Sequence, residues 1–227
     1  MKLLAIDTSA EACSAALWQD GELIDRFRVQ PRGHSELILG MMQELLDEAG
    51  LGPGDVDGLA FGRGPGSFTG VRIATGVIQG VAYALGLPVV PVSNLAALAQ
   101  RHFRESGAER ILPAFDARMG EVYWGVYQVD ERGLVSLQGR EAVASPERVC
   151  LPEGFGWHGV GSGWLSYGER LGQRLGDRLT SIHARQLCHA MDIARLGVAG
   201  FEAGQAVGAA EALPIYLRDQ VATPRRM

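Results

Sequence analysis

Two aspartates stand where a short apolar run gives way to a polar turn. Asp7, with Thr8 and Ser9, follows the run Leu3 to Ile6; Asp116, with Ala117 and Arg118, follows Ile111 to Phe115. Such a turn can offer backbone N–H groups and hydroxyls to a phosphate, and a carboxylate to a metal beside it. Two of them facing each other would suit a nucleotide held between two halves of the chain. An aspartate at a strand end is also a common turn former, so the chemistry needs further groups. Few assemble. Lys2 is the single lysine and no G-K-[ST] occurs, which excludes a Walker-type loop. Ser67 lies beside glycines, but outside a G-x-S-x-G pattern and without an assignable histidine base, which argues against a hydrolase or peptidase. His34 has Ile38 one turn on, where a helical metal pair needs a second ligand. His183, Cys188 and His189 fall on one predicted helix at spacings that do not share a face. His102, between Arg101 and Arg104, reads as a solvated helix end. No catalytic residue, metal site or cofactor is assigned on this basis. Arg218, Arg225 and Arg226 read as a solvated, arginine-tipped tail.

The segment that organises these residues is Phe61 to Gly86. Gly62, Gly64, Pro65 and Gly66 make a tight, shaped loop. Ser67 and Thr69 are candidate N-caps for the helix that follows, and Gly86 with Pro88 ends it. Within that helix Gly76, Gly80 and Ala84 form a ridge. An interior glycine costs about 1 kcal/mol against alanine, so close approach of another backbone is the expected compensation. The helix before it, His34 to Ala49, carries apolar residues over roughly 200° of its wheel, wider than the roughly 100° stripe of an ordinary surface helix. Part can face the core, and part is left for another surface; burial between two layers is the plainer alternative.

The remaining order is regular. Strands at Lys2 to Ile6, Ala12 to Trp18 and Glu22 to Val29 precede the first helix, with a hairpin signal at Asp20-Gly21. Val56 to Phe61 and Val89 to Val92 are strands, and Ser93 or Asn94 caps a third helix, Leu95 to Phe103. The order β-β-β-α-β-α-β-α then restarts. AIDTSAEACSAALWQ and AFDARMGEVYWGVYQ align with a one-residue gap, which points to an internal duplication. The second copy places a third strand at Leu134 to Leu137, a short helix at Ser145-Pro146 and a strand at Trp157 to Val160 leading into the loop GVGSGW. Helices at Leu165 to Leu175 and His183 to Gly197 follow, with a weak strand at Leu179 to Ile182 between them. A closing helix and tail are expected from Leu213. The division is residues 1–108 and 109–227.

Length and charge bound the function. With 227 residues, 47% hydrophobic content and a net charge of −5, the chain can build a sizeable core and its surface as a whole should not attract nucleic acid. Three widely spaced cysteines indicate a reducing compartment. Asp7 interrupts the first apolar run, and no run of about 18 apolar residues occurs, so neither a signal peptide nor a membrane span is expected and the location is cytoplasmic.

The segments AIDTS, RGHSELIL, GRGPGSFTGVRIATGVIQGVAYAL, PVVPVSNLAALA, FDARMGEVYWGVY and PIYLRD closely resemble the bacterial TsaB (YeaZ) family. The match is strongest over residues 1–127. The resemblance implies an α/β chain with the duplicated actin-like, sugar-kinase and heat-shock ATPase (ASKHA) fold. It implies a part in forming threonylcarbamoyladenosine beside the anticodon of tRNA, as a non-catalytic paralogue of the partner TsaD. The histidine pair that holds the metal of TsaD has no counterpart, since His34 stands alone. The resemblance further implies a TsaD interface on the first two helices, with TsaE in a larger complex, self-pairing when alone, and tRNA met only through the complex. Ile38, Met41, Met42, Leu45, Arg72, Gly76 and Gly80 are the expected interface residues; Asp7, Thr8, Ser9 and Asp116 would be a vestigial nucleotide loop. The alternative is a nucleotide-dependent ATPase or phosphotransferase of the same superfamily using Asp7 and Asp116.

Overall fold

The structure, a computed structural model, describes residues 1–218. Strands β1 (Lys2–Asp7), β2 (Ala12–Gln19) and β3 (Glu22–Val29) form an antiparallel meander. Asp20 and Gly21 turn the second hairpin with φ of 51° and 103°, the left-handed pair that matches the twist of the flanking strands. β4 (Gly58–Gly62) and β5 (Val89–Val92) run parallel to β1, giving the order β3-β2-β1-β4-β5. α1 (His34–Ala49) and α2 (Phe68–Leu85) cover one face. Leu4, Ile6, Leu59 and Phe61 meet Ile38, Met41, Leu45 and Ile78 in the first core. Ser67 caps α2 by accepting from Gly70 N–H, Thr69 lies inside the helix, and Gly86 ends it at φ 67°. Ser93 caps α3 (Asn94–Ser106) by accepting from Leu95 and Ala96 N–H.

The second sheet repeats this plan with breaks. β6 (Arg110–Arg118) pairs antiparallel with β7 (Glu121–Trp124) and β8 (Tyr127–Val129). Ala114 faces Trp124 and Ile111 faces Tyr127, so β7 and β8 keep one register and are a single strand interrupted at Gly125. The interruption lies opposite Pro113, which has no N–H to give; Gly125 N–H still reaches Pro113 O at 3.3 Å. The third strand is likewise split into β9 (Val135–Leu137) and β10 (Ala142–Ala144). A 3₁₀ turn at Pro146–Arg148 stands in the place of α1. β11 (Trp157–Val160) and β12 (Leu179–His183) run parallel to β6, with α4 (Ser162–Leu175) between them. The two halves therefore share one strand order. This is a duplicated α/β fold, the plan that the family resemblance implies.

Helices cross between the halves. α3 packs Leu95, Leu98 and Ala99 against Ile111, Tyr127 and Val160 of the second sheet. α5 (Ala190–Glu202) packs Ala190, Ile193 and Ala194 against Leu3, Ala5 and Ala60 of the first. A cut between residues 108 and 109 thus separates the sheets but not their covering layers. The crossing helices are joined by Arg104, whose Nε and Nη2 each donate to the buried Asp192 at 2.9 Å.

Four expectations need correction. Arg218 is not solvated: its side chain is mostly buried and its guanidinium donates to Glu121 Oε2 and Arg118 O. The helix expected from His183 begins only at Ala190: His183 ends β12, and His189 is the N-cap, its Nδ1 accepting from Met191 N–H at 3.1 Å. His102 is not a solvated helix end but is buried, because α3 lies under the second half. No closing helix starts at Leu213; residues 212–218 are irregular, and the rest of the tail, with Arg225 and Arg226, lies outside the described residues. Ile215 N–H donates to Arg63 O at 2.9 Å, laying this segment beside the glycine loop.

Candidate partner-binding face

The Asp7 turn is packed shut by the glycine loop. Thr8 Oγ1 donates to Gly70 O at 2.6 Å, and Ser67 N–H donates to Ser9 O at 2.7 Å. Asn94 staples turn to loop: its Nδ2 donates to Asp7 Oδ1 and Ser9 Oγ, both at 2.7 Å, and its Oδ1 accepts from Gly64 N–H at 2.7 Å. The glycines are there because nothing larger fits. A Cβ at Gly62 would lie 2.4 Å from Asn94 Nδ2, at Gly66 2.7 Å from Ser9 O, and at Gly70 2.0 Å from Thr8 O. Asp7, Thr8 and Ser9 are all buried. Burial pushes the Asp7 carboxyl above its ordinary range, while hydrogen bonds from Ser9 and Asn94 pull the other way.

Asp116 is held by its own half. It accepts from Arg118 N–H at 2.8 Å, Ser166 Oγ at 3.0 Å and Tyr167 OH at 3.4 Å. Asp7 and Asp116 share no partner among these contacts. The GVGSGW loop is also filled from within: a Cβ at Gly159 would meet the Trp164 ring at 2.4 Å, and one at Gly161 would meet Ala114 O at 2.6 Å.

The two helices of the first half divide differently from the expected interface. Ile38, Met41, Met42 and Leu45 are buried, all four turned into the first core against β1, β2 and β4. Their wide apolar arc is used by this chain, because the sheet lies beneath one side of α1 and α2 presses on the other. They do not form an outward surface. Arg72, Gly76 and Gly80 do lie on the exposed side of α2. A Cβ at Gly76 or Gly80 would meet no atom of the described residues within 4 Å. Around this ridge Phe68, Tyr83 and Leu85 are exposed, Tyr83 at 86%, and Leu39 of α1 is exposed nearby in the chain's α1–α2 groove. Leu39, Met42, Leu46, Val81, Ala84 and Leu85 help line a cavity of ≈ 250 Å³ between the helices. At the helix start, Arg72 stacks its guanidinium 3.6 Å from the Phe68 ring centroid and donates from Nε to Tyr216 OH at 3.0 Å. α2 has the length and composition of a membrane span, yet a third of it is buried, with Val71, Ala74, Ile78 and Ala82 packed inward.

One cluster escaped the sequence. His102, His158 and His183 each bring a ring nitrogen within 4.8 Å of the others. They sit on α3, β11 and β12, and no periodicity links positions so far apart. Only the crossing of α3 under the second sheet brings them together.

The comparisons with known proteins agree with this architecture. The family described as "TsaD: tRNA N6-adenosine threonylcarbamoyltransferase" matches residues 28–158. The tRNA threonylcarbamoyladenosine biosynthesis protein TsaB of Escherichia coli (strain K12) is 44% identical over 98% of this chain and 96% of its own length. The TsaB protein of Haemophilus influenzae is 40% identical over 97% of this chain and 95% of its own. The solved structure of YeaZ from Pseudomonas aeruginosa superposes with a TM-score of 0.88 at 50% identity, covering 95% of this chain and 99% of that one. By sequence over nearly its whole length, and by fold, the chain belongs to the TsaB (YeaZ) family of tRNA threonylcarbamoyladenosine biosynthesis proteins.

Proposed function

We propose that the chain is a non-catalytic scaffold subunit in threonylcarbamoyladenosine formation, seating a TsaD-type protein on the outer ridge of α2 and the adjoining edge of α1. TsaE joins the larger complex, and tRNA is met through the assembly. The observation that carries this reading is the pair of open glycines. Each interior glycine costs the helix about 1 kcal/mol against alanine, and none of the described residues approaches Gly76 or Gly80 to offset it. A partner helix can lie close along such a ridge, and the exposed Phe68, Tyr83, Leu85 and Leu39 supply apolar area around it. A homologous fold offers a matching helix pair, so the contact is a small helical bundle with a dry centre. A second copy of the chain can use the same face when TsaD is absent. Buried Cys13 and Cys188 and exposed Cys150 are all free thiols, in keeping with a reducing, cytoplasmic setting.

The test is Gly76→Leu with Gly80→Leu. Both side chains point into open space, so the isolated variant keeps its fold and its unfolding midpoint. In gel filtration with TsaD the wild-type chain co-elutes and the variant does not. Co-elution of a folded variant would refute the assignment of this face.

A further inference from the structure

We propose that His102, His158 and His183 form a binding site for one divalent transition-metal ion of the zinc class, clamping α3 of the first half to the second sheet. The ring centroids lie 4.5 Å (His102–His183), 5.4 Å (His102–His158) and 6.4 Å (His158–His183) apart. Three nitrogens on one tetrahedral zinc lie about 2.0–2.1 Å from it and so about 3.3 Å from each other, which asks these rings to close by at most about 1.5 Å from their mutual 4.8 Å limit. His158 is half-buried and His183 exposed, so the two rim rings have room to make that adjustment. The exposed side leaves a fourth position to water. A set of three neutral imidazoles suits zinc, cobalt, nickel or copper, and does not suit magnesium or calcium, which take oxygen ligands.

The surroundings of His102 prepare it for this role. Gln186 Nε2 donates to Glu105 Oε2 at 2.8 Å, and Glu105 is itself paired with Arg101 Nε at 2.7 Å. The Gln186 amide is thereby oriented with Oε1 toward His102 Nδ1, 2.9 Å away. An amide oxygen only accepts, so Nδ1 carries the proton and Nε2 presents its lone pair. That Nε2 is buried without a hydrogen-bond partner, a costly arrangement for an apolar interior. A carboxylate–amide–imidazole chain of this kind fixes ring orientation in metal sites. On the rim, the Ser181 hydroxyl bridges His158 Nδ1 at 2.9 Å and His183 Nε2 at 3.0 Å, holding those rings side by side.

The untagged full chain, carrying Cys150→Ser to remove the exposed thiol, is titrated with Co²⁺ and then Zn²⁺. Saturable 1:1 uptake with tetrahedral cobalt absorption, displaced by zinc, is expected. His183→Asn and His158→Asn each weaken it at least tenfold, and Gln186→Ala weakens it by about tenfold through loss of the ring's orientation. Zinc raises the thermal midpoint of the parent but not of His183→Asn, whose exposed position leaves the metal-free fold unchanged. Absence of saturable uptake, or uptake by the two histidine variants as tight as the parent's, would overturn the proposal.

Discussion

Two groups of glycines lie in one stretch of chain, and they answer to different neighbours. Gly62, Gly66 and Gly70 are fixed by atoms of this protein: Asn94, Ser9 and Thr8 occupy the space where a Cβ would go. Gly76 and Gly80, about two and three turns past Gly70 on the same helix, face no described residue within 4 Å. The first group is explained by the fold. The second has no explanation among the described residues, and its cost is the ground on which we propose a partner there. The same division separates the residues of α1. Ile38, Met41, Met42 and Leu45 are consumed by the core, while Leu39 is left at the groove.

The largest expected effect breaks the closed group. Gly70→Ala drives a methyl into Thr8 O and should cost about 3 kcal/mol or more, read as a drop in the urea midpoint. Next is acid sensitivity at the seam between the halves. His102 and His189 are both lowered to about 4, chiefly by burial, with Arg101 and Arg104 adding to the effect at His189. The unfolded chain binds these protons near pH 6.5 and the folded chain does not until about pH 4. Stability therefore falls as pH drops through that window, by up to about 1.4 kcal/mol per unit for each histidine. Chemical denaturation at a series of pH values should show this slope, and His102→Gln should remove its share.

Smaller effects sharpen the contrast. Asp7→Asn keeps an oxygen for Asn94 and Ser9 while removing a buried carboxylate whose ionisation burial disfavours. It should raise stability at pH 7 by about 1 kcal/mol and leave TsaD binding intact. A nucleotide-dependent enzyme using Asp7 would instead lose ATP binding by calorimetry. The smallest change is Gly76→Ala, which should stabilise the isolated chain by about 0.5–1 kcal/mol and weaken pairing. Opposite signs from one methyl would separate the needs of the fold from those of the interface.

Much of the architecture was legible because it is local. Alternation, turn glycines and caps locate the first three strands, α1, α2 and the strand at Trp157–Val160. The duplication was legible from the two Ala-apolar-Asp strands. What sequence could not carry is the exchange of α3 and α5 between sheets, a tertiary choice with no periodic mark. That exchange buried His102 and assembled the histidine cluster. The outward side of α1 and α2 was equally hidden: a wide apolar arc fits both a buried helix and a docking helix, and only the position of the sheet decides which residues turn inward.

The central claim is that a partner covers the open ridge of α2. Hydroxyl-radical footprinting of the chain with and without TsaD tests it through two exposed aromatics, Tyr83 on α2 at 86% exposure and Phe155 on the second half at 66%. The account predicts strong protection of Tyr83 in the complex with Phe155 unchanged. A complex that forms while Tyr83 labels at its free rate would contradict it.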